Sequence, residues 1–315
     1  MSTTGFSDSI VQLTDSLFSE KEVCVYMKLL NLEDPFINGN KIYKLKYNIS
    51  EAKKTRHNTL LTFGGAYSNH IAATAAVGKK EGLKTIGIIR GTEAELKNNP
   101  TLMQAFANGM LLDFVDREKY RQKNNEDFVN GLRKKHGEFY LIPEGGSNLL
   151  GVMGCMEIIG EGQRTRGKGH GAFDIICCSC GTGATLAGIV LSLNADQKTL
   201  GFAALKGGEF LKKDVEGFID AYEKYALRST HVSGGEFQIV ADYHFGGYGK
   251  VNNELMEFVK GFKDQHDIQL DYVYTAKMMY GLTDLIKKGN FKPGTGILAI
   301  HTGGLQGNQG YTNKQ

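Results

Sequence analysis

The chain has 315 residues, 41% of them hydrophobic and 23% charged, with a formal net charge of +3 at pH 7. This is the composition of an ordinary globular protein long enough to bury one large core or two modest ones. A charge so small and so evenly spread gives no basis for a nucleic-acid or membrane-surface partner, and no apolar run nears the roughly 20 residues that cross a bilayer.

"MSTTGFSDSIVQLTDSLFSEKE" opens the chain with neither a basic start nor an apolar run, so the expectation is a cytoplasmic protein without a secretory signal. "GNKIYKLKYN" then sets Lys41, Lys44 and Lys46 within six positions. By spacing alone these are charges of a solvated helix face, or one of them is a chemical group; nothing local chooses. "TLLTFGG" (Thr59–Gly65) reads as a buried strand ending in glycine, and "NHIAATAAVGKKEG" as an Ala-rich helix. "TIGIIRG" is the next strand, "NPTLMQAFANGM" a helix with Pro100 at an allowed early position, and "LLDFV" a strand. "NEDFVNGLRKKHG" is a helix stopped by Gly137, and "EFYLIP" a strand. Continuous rather than alternating apolar strands predict a parallel sheet covered on both faces.

After about residue 150 the alternation resumes: strand "DIICCS", helix "ATLAGIVLSLN", strand "TLGFAAL", helix "EFLKKDVEGFIDAYEKYAL". The strand "EFQIVADY", the helices "NNELMEFVKGFKDQHD" and "AKMMYGLTDLIKKG" and the strand "GILAIH" complete it. The expected fold is α/β with two parallel-sheet domains. Residues 51–150 would form the smaller and 1–50 with 151–315 the larger, with a site between them at the C-terminal ends of strands.

The cysteines number five, Cys24, Cys155, Cys177, Cys178 and Cys180, and no second pair offers metal-ligand spacing. Reduced and mostly buried thiols are expected, with no metal. Polar residues gather with glycine at the strand ends "GGAYSNH", "EGGSN", "CGTGAT" and "HTGG". "SCGTGATLAG" is a strand-to-helix turn whose converging N–H groups, with Thr182 and Thr185, suit a phosphate, a dinucleotide, or nothing beyond a tight turn. Ser68 and Asn69 start a helix, as a cap or as a carboxylate site. His301 ends a buried strand and reads as a satisfied core histidine.

Taken in order, "GNKIYKLKY", "GGAYSNH", "IPEGGSN", "CGTGAT", "GGYG", "DYVYTAK" and "HTGG" resemble the 1-aminocyclopropane-1-carboxylate deaminase and D-cysteine desulfhydrase family, from about residue 25 to the C-terminus. These are pyridoxal 5'-phosphate enzymes of the tryptophan-synthase-β fold type, fold type II. The resemblance implies that Lys44, the second lysine of its motif, forms the Schiff base, and that Lys41 and Lys46 stay solvated or structural. It implies that Asn69 bonds the cofactor's phenolic oxygen and that Ser68, Asn69 and His70 hold the substrate carboxylate. Thr182, Gly183, Ala184 and Thr185 would cradle the phosphate. Tyr248 and Tyr274 match the family's active-site tyrosines, and Ser68 is a further candidate for proton transfer.

Two positions divide the branches. The deaminase carries Glu and Leu where this chain has Thr275 and Thr302, as the desulfhydrase does. A hydroxyl facing the pyridine nitrogen leaves the ring neutral and a milder electron sink, which favours expulsion of a β-leaving group. The resemblance thus implies a homodimeric lyase acting on a small amino acid, D-cysteine first. Aminocyclopropanecarboxylate deamination and D-serine dehydration or racemisation are the alternatives. A non-catalytic dinucleotide-binding module is the rival of another class, although the strand "TLGFAAL" runs into Lys206 and Gly207 with no acid for a ribose.

Overall fold

The structure, a computed structural model, describes residues 8–30, 37–160, 173–226 and 235–312. The end of "DPFING" nearest the lysine cluster is described, whereas Asp34, Pro35 and Phe36, and Leu227 of the predicted fourth long helix, lie outside those residues.

Among the described residues ten strands make two sheets. The larger uses β1 (Ser9–Leu13), β2 (Cys24–Leu29), β7 (Ile175–Cys180), β8 (Lys198–Ala203), β9 (Glu236–Val240) and β10 (Gly296–His301) in the order β1-β2-β10-β7-β8-β9. Its pairs are parallel except β1 with β2. The smaller uses β3 (Thr59–Gly65), β4 (Lys84–Arg90), β5 (Met110–Val115) and β6 (Tyr140–Ile142), all parallel, in the order β5-β4-β3-β6. The predicted strands from residue 59 onward all form. β1 and β2 carried too little pattern to be singled out in the sequence, and they join the larger sheet.

The central strands are buried on both faces, so their apolar runs are unbroken. Along β7, Ile176 and Cys178 join one core with Leu186 and Ile189 of helix Ala184–Ser192, while Cys177 faces the other with Met278 and Leu282 of helix Thr275–Lys287. That is the two-residue alternation of a strand with an apolar neighbour on each side. The smaller sheet repeats the plan: Phe63 and Ile88 pack with Val129 and Leu132, and Ile89 packs with Ile71 and Leu102.

Helix Asn40–Lys54 carries the lysine cluster and starts against the end of β10, where Asn40 N–H donates to Thr302 O at 3.2 Å. Its middle is pinned to helix Leu149–Cys155 by a reciprocal amide pair. Asn148 Nδ2 donates to Asn48 Oδ1 at 2.8 Å, and Asn48 Nδ2 donates to Asn148 Oδ1 at 3.1 Å and to Lys44 O at 2.7 Å. Asn48 is fully buried, so this network fixes where the lysines stand.

Candidate active site

The C-terminal ends of β3, β4 and β7 and the residue after β10 open onto one cleft of about 760 Å³, lined by Gly65, Arg90, Cys180 and Thr302 among others. That volume is in the range of small-molecule and cofactor sites. Lys44, Ser68, Asn69, His70, Thr182, Gly183, Thr185, Tyr248, Tyr274 and Thr302 line it; Ala184 and Thr275 do not.

The turn after β7 is built as the sequence suggested. Gly183 sits at φ +80 as the N-cap of helix Ala184–Ser192, and Asn40 Nδ2 donates to Thr185 Oγ1 at 2.8 Å, tying the turn to the lysine helix. Lys44, only 2% exposed, donates from Nζ to Ser147 Oγ at 3.2 Å and to Thr182 Oγ1 at 3.4 Å. Burial lowers its proton affinity.

Lys46 is structural, paired with Glu157 at 2.6 Å. Lys41, expected to be solvated or structural, turns to the cleft. It is half-buried but lines the same cleft, with Nζ donating to Asn40 Oδ1 at 2.9 Å. Withdrawal from water, and then the charge of Lys44, push its amine down to about 7. Two amines therefore face the cavity, near one turn of helix apart.

Ser68 caps helix Asn69–Glu81, accepting from Ile71 N–H at 3.3 Å, which leaves its hydroxyl proton free. Asn69 accepts at Oδ1 from Gln306 Nε2 at 2.6 Å, and its Nδ2 stays a donor. His70 behaves differently from the expectation. Thr62 Oγ1 gives its one proton to Ile142 O at 2.8 Å, so at 2.8 Å it must accept from His70 Nε2–H. The ring's Nδ1 is then a bare, buried acceptor without a partner, and burial followed by the charges of Lys41 and Lys44 keeps the ring neutral. A neutral histidine with its N–H already engaged has nothing to donate to a carboxylate. The donors left at this end of the cleft are Ser68, Asn69 and the helix N-terminus.

Across the cleft Tyr274 Oη donates to Tyr248 Oη at 3.3 Å, the rings meeting edge to face at 5.9 Å. Desolvation raises both phenols, Tyr274 the more. Asp271 accepts from the backbone N–H groups of Val273, Tyr274 and Thr275, which fixes the turn presenting Tyr274. Lys277 does the same for the other tyrosine: its Nζ donates to His244 O at 2.9 Å and to Gly247 O at 2.8 Å, within the loop that carries Tyr248. Thr302 and Ser179 pair their hydroxyls at 3.2 Å in the cleft, whereas Thr275 Oγ1 is buried beside it without a partner. His301 is satisfied as expected, with Nε2 bonding Gln269 O at 2.8 Å and Nδ1 accepting from Gly303 N–H at 3.2 Å. The five cysteines are free thiols, all buried but Cys24, and no metal-ligand cluster occurs among the described residues.

Residues 10–303 match the family model described as "Pyridoxal-phosphate dependent enzyme". The chain belongs to this family. A Pyrococcus horikoshii protein that bears the provisional name 1-aminocyclopropane-1-carboxylate deaminase is 33% identical, over 96% of this chain and 91% of its own. The Arabidopsis thaliana mitochondrial "Bifunctional D-cysteine desulfhydrase/1-aminocyclopropane-1-carboxylate deaminase" is 31% identical, over 86% of this chain and 70% of its own. The solved structure of an "ACC deaminase homologue" superposes with a TM-score of 0.83 at 31% identity, covering 98% of this chain and 93% of that one. The fold is therefore that of the fold type II pyridoxal-phosphate enzymes, and the cofactor is pyridoxal phosphate.

The residues present fit that cofactor. An amine of lowered basicity waits at the cleft wall, a glycine turn with a lysine beside it suits the phosphate, Asn69 is aimed as a donor by Gln306, and a neutral hydroxyl pair stands at Ser179 and Thr302. A Cβ built on Gly181 would lie 3.0 Å from the Tyr274 ring, so even a methyl group would intrude on the tyrosine. Sequence reading left Lys41 solvated or structural and gave no role to Asn40, Ser147 or Ser179. All four stand inside quoted stretches, so the signal lay in which positions face the cleft. Arg90, Arg117, Tyr120 and Arg121 on the smaller sheet's side belong to no motif and needed the fold to bring them together.

Proposed function

We propose that this pyridoxal-phosphate enzyme is a lyase acting on a small amino acid with a leaving group on its β-carbon, D-cysteine first, giving pyruvate, ammonia and sulfide. The observation that carries this reading is the Ser179–Thr302 hydroxyl pair in the cleft; Thr275, where the deaminase branch has a carboxylate, is buried with its hydroxyl unpartnered. Bound pyridoxal phosphate supplies an aldehyde for attachment and a ring that withdraws electrons from the amino acid's Cα.

Of the two amines, Lys41 is the better attachment point, which reverses the order implied by the motif. It opens to the cleft, and an amine near 7 is neutral often enough at neutral pH to act as a nucleophile and then as the base for the Cα proton. Lys44 is nearly sealed and lies on Thr182 of the phosphate turn, which suits a counter-ion. Asn69 donates to the phenolic oxygen. Ser68 and the N-terminus of helix Asn69–Glu81 take the substrate carboxylate. The raised phenols of Tyr274 and Tyr248 remain protonated at neutral pH, so they serve as proton donors to the departing sulfur.

Membership of separate sheets supports treating 51–150 as a small domain and 1–50 with 151–315 as a large one. A cytoplasmic homodimer belongs to the same proposal.

Borohydride reduction followed by peptide mapping tests the attachment: the adduct is expected on Lys41, and one on Lys44 reinstates the motif order. Pyruvate release from D-cysteine, L-cysteine, D-serine and β-chloro-D-alanine is to be compared with 2-oxobutanoate from aminocyclopropanecarboxylate. Fastest release of 2-oxobutanoate would overturn the branch assignment and make the chain a deaminase.

A further inference from the structure

Lys277 stands where a cation is least expected. It is 1% exposed and is the third residue of helix Thr275–Lys287, so burial and the positive end of the helix both oppose its charge. Asp271 is the charge felt there, yet among the described residues no ion pair engages the amine. Its partners are three main-chain carbonyls: Gly247 O at 2.8 Å, His244 O at 2.9 Å and Ala204 O at 3.4 Å. An ammonium has three protons, and each finds one oxygen. Burial lowers the amine to about 8, so at neutral pH it is still charged.

The oxygens are brought together by backbone turns. His244 O and Gly247 O are the first carbonyls of two consecutive turns, closed by Gly247 N–H to His244 O at 3.0 Å and Lys250 N–H to Gly247 O at 3.1 Å. Gly246 and Gly247, at φ +89 and +122, give the chain the course that aims both inward. Ala204 follows β8 and is tied to the end of β7, its N–H donating to Cys180 O at 2.9 Å. Carbonyl dipoles converging on one positive charge are how proteins hold a potassium ion. We propose that Lys277 is a built-in monovalent cation: its ammonium fills a carbonyl site of Ala204, His244 and Gly247 that takes a free potassium or ammonium ion once the side chain is shortened. The site joins the two tyrosines, since Tyr274 lies three residues before Lys277 and Tyr248 directly follows Gly247. A filled site holds their 3.3 Å hydroxyl contact, and the parent enzyme needs no added monovalent cation. The effect on rate rests on the tyrosine pair as proton donors; the ion site does not.

Lys277→Ala and Lys277→Met separate a cation from a packing role. Methionine keeps most of the stem and leaves no room for an ion, whereas alanine leaves both room and bare carbonyls. Each variant and the parent, loaded with cofactor, is melted and assayed in the chlorides of potassium, ammonium, lithium and tetramethylammonium at one ionic strength. Potassium forms no imine, so a gain from it is not chemistry at the cofactor. In tetramethylammonium both variants should lose kcat by roughly 10-fold or more, the effect of a misplaced donor. Potassium and ammonium should return about half of the parent's kcat to the alanine variant and raise its melting temperature by about 3 °C, as a ligand of the folded state does. The methionine variant and the parent should respond to neither. An alanine variant that responds to no cation, or to all alike, overturns the proposal, and so does a methionine variant with the parent's kcat. If the alanine variant folds in no salt, the methionine variant decides: a lost kcat supports the proposal and an unchanged one overturns it. Potassium that raises the melting temperature of the alanine variant without raising kcat keeps the site and removes the donor role of the tyrosine pair.

Discussion

Replacing Gly39 by alanine strikes the joint between the lysine helix and the end of β10. Gly39 has φ +63 and ψ −158, a region that side-chain-bearing residues rarely enter, and a Cβ there would lie 2.0 Å from Thr302 O and 2.8 Å from Gly303 Cα. Since such contacts essentially never fall below 3.0 Å, the two backbones must part by about 1 Å or more. Parting them breaks the Asn40 N–H to Thr302 O bond, about 1 kcal/mol, and the backbone conformation adds about 1–3 kcal/mol. The stiffer unfolded chain offsets about 0.4–1 kcal/mol, so the net loss is about 2 kcal/mol before any overpacking. Urea unfolding of the cofactor-free protein reads this directly, with Gly289→Ala as control, because Gly289 has φ +73 and no atom within 4 Å of its Cβ. The Gly39 variant should lose clearly more stability than the control, and it should also bind pyridoxal phosphate more weakly, because Asn40, Lys41 and Thr302 all move with that joint. Equal losses in the two variants, with cofactor affinity unchanged, would refute the close approach.

In the cofactor-free protein Lys41 should react with an amine reagent with a midpoint near pH 7, against 10.5 for an ordinary lysine: unreactive below, neutral and reactive above. Since the unfolded chain then binds more protons than the folded one between about 7 and 10.5, cofactor-free stability should rise with pH across that window, and a Lys41→Met variant should lose part of the rise, the rest belonging to the other lowered amines, Lys44 and Lys277 among them. A Lys41 that labels like surface lysines would contradict the site's electrostatics. Tyr274→Phe should lower kcat by roughly 100-fold or more for a thiol leaving group and much less for β-chloro-alanine, whose chloride departs without a proton; equal losses would remove the donor role. Lys277→Met should strip the Tyr248 loop of its donor to His244 O and Gly247 O, lowering kcat while cofactor affinity stays near that of the parent; unchanged kcat would mean the loop holds itself.

Much of the fold was legible because burial on both faces of a parallel sheet forces unbroken apolar runs, and strands such as Ile175–Cys180 and Gly296–His301 carry nothing else. The edge strand Ser9–Leu13 was not, since only Leu13 of its five residues is buried and its polar positions resemble a loop. The glycine-rich strand ends were visible as unusual sequence but silent as to role. Lys41 and Lys44 show why. They are three positions apart on one helix, so a linear reading sees two equivalent charges, while the partners that separate them, Asn40 beside one and Ser147 and Thr182 beside the other, come partly from segments more than 100 residues away. The state of His70 was hidden for the same reason: its proton is committed to Thr62, whose own is committed to Ile142 on a neighbouring strand.

The distribution of protons across the cleft follows from these partners and explains how one site can run base and acid steps at a single pH. On the lysine side burial, and at Lys41 also the charge of Lys44, push amines toward the neutral, proton-accepting form. On the tyrosine side burial pushes phenols toward the neutral, proton-donating form. The same desolvation acts with opposite chemical consequence because the amine is charged when protonated and the phenol when deprotonated. In the proposed elimination a substrate laid between the two walls would meet an acceptor at Cα and a donor at its β-substituent. Filling the cleft with water would level both sides, so anything that opens it should depress the reaction from both ends at once, narrowing the pH–rate profile as well as lowering it.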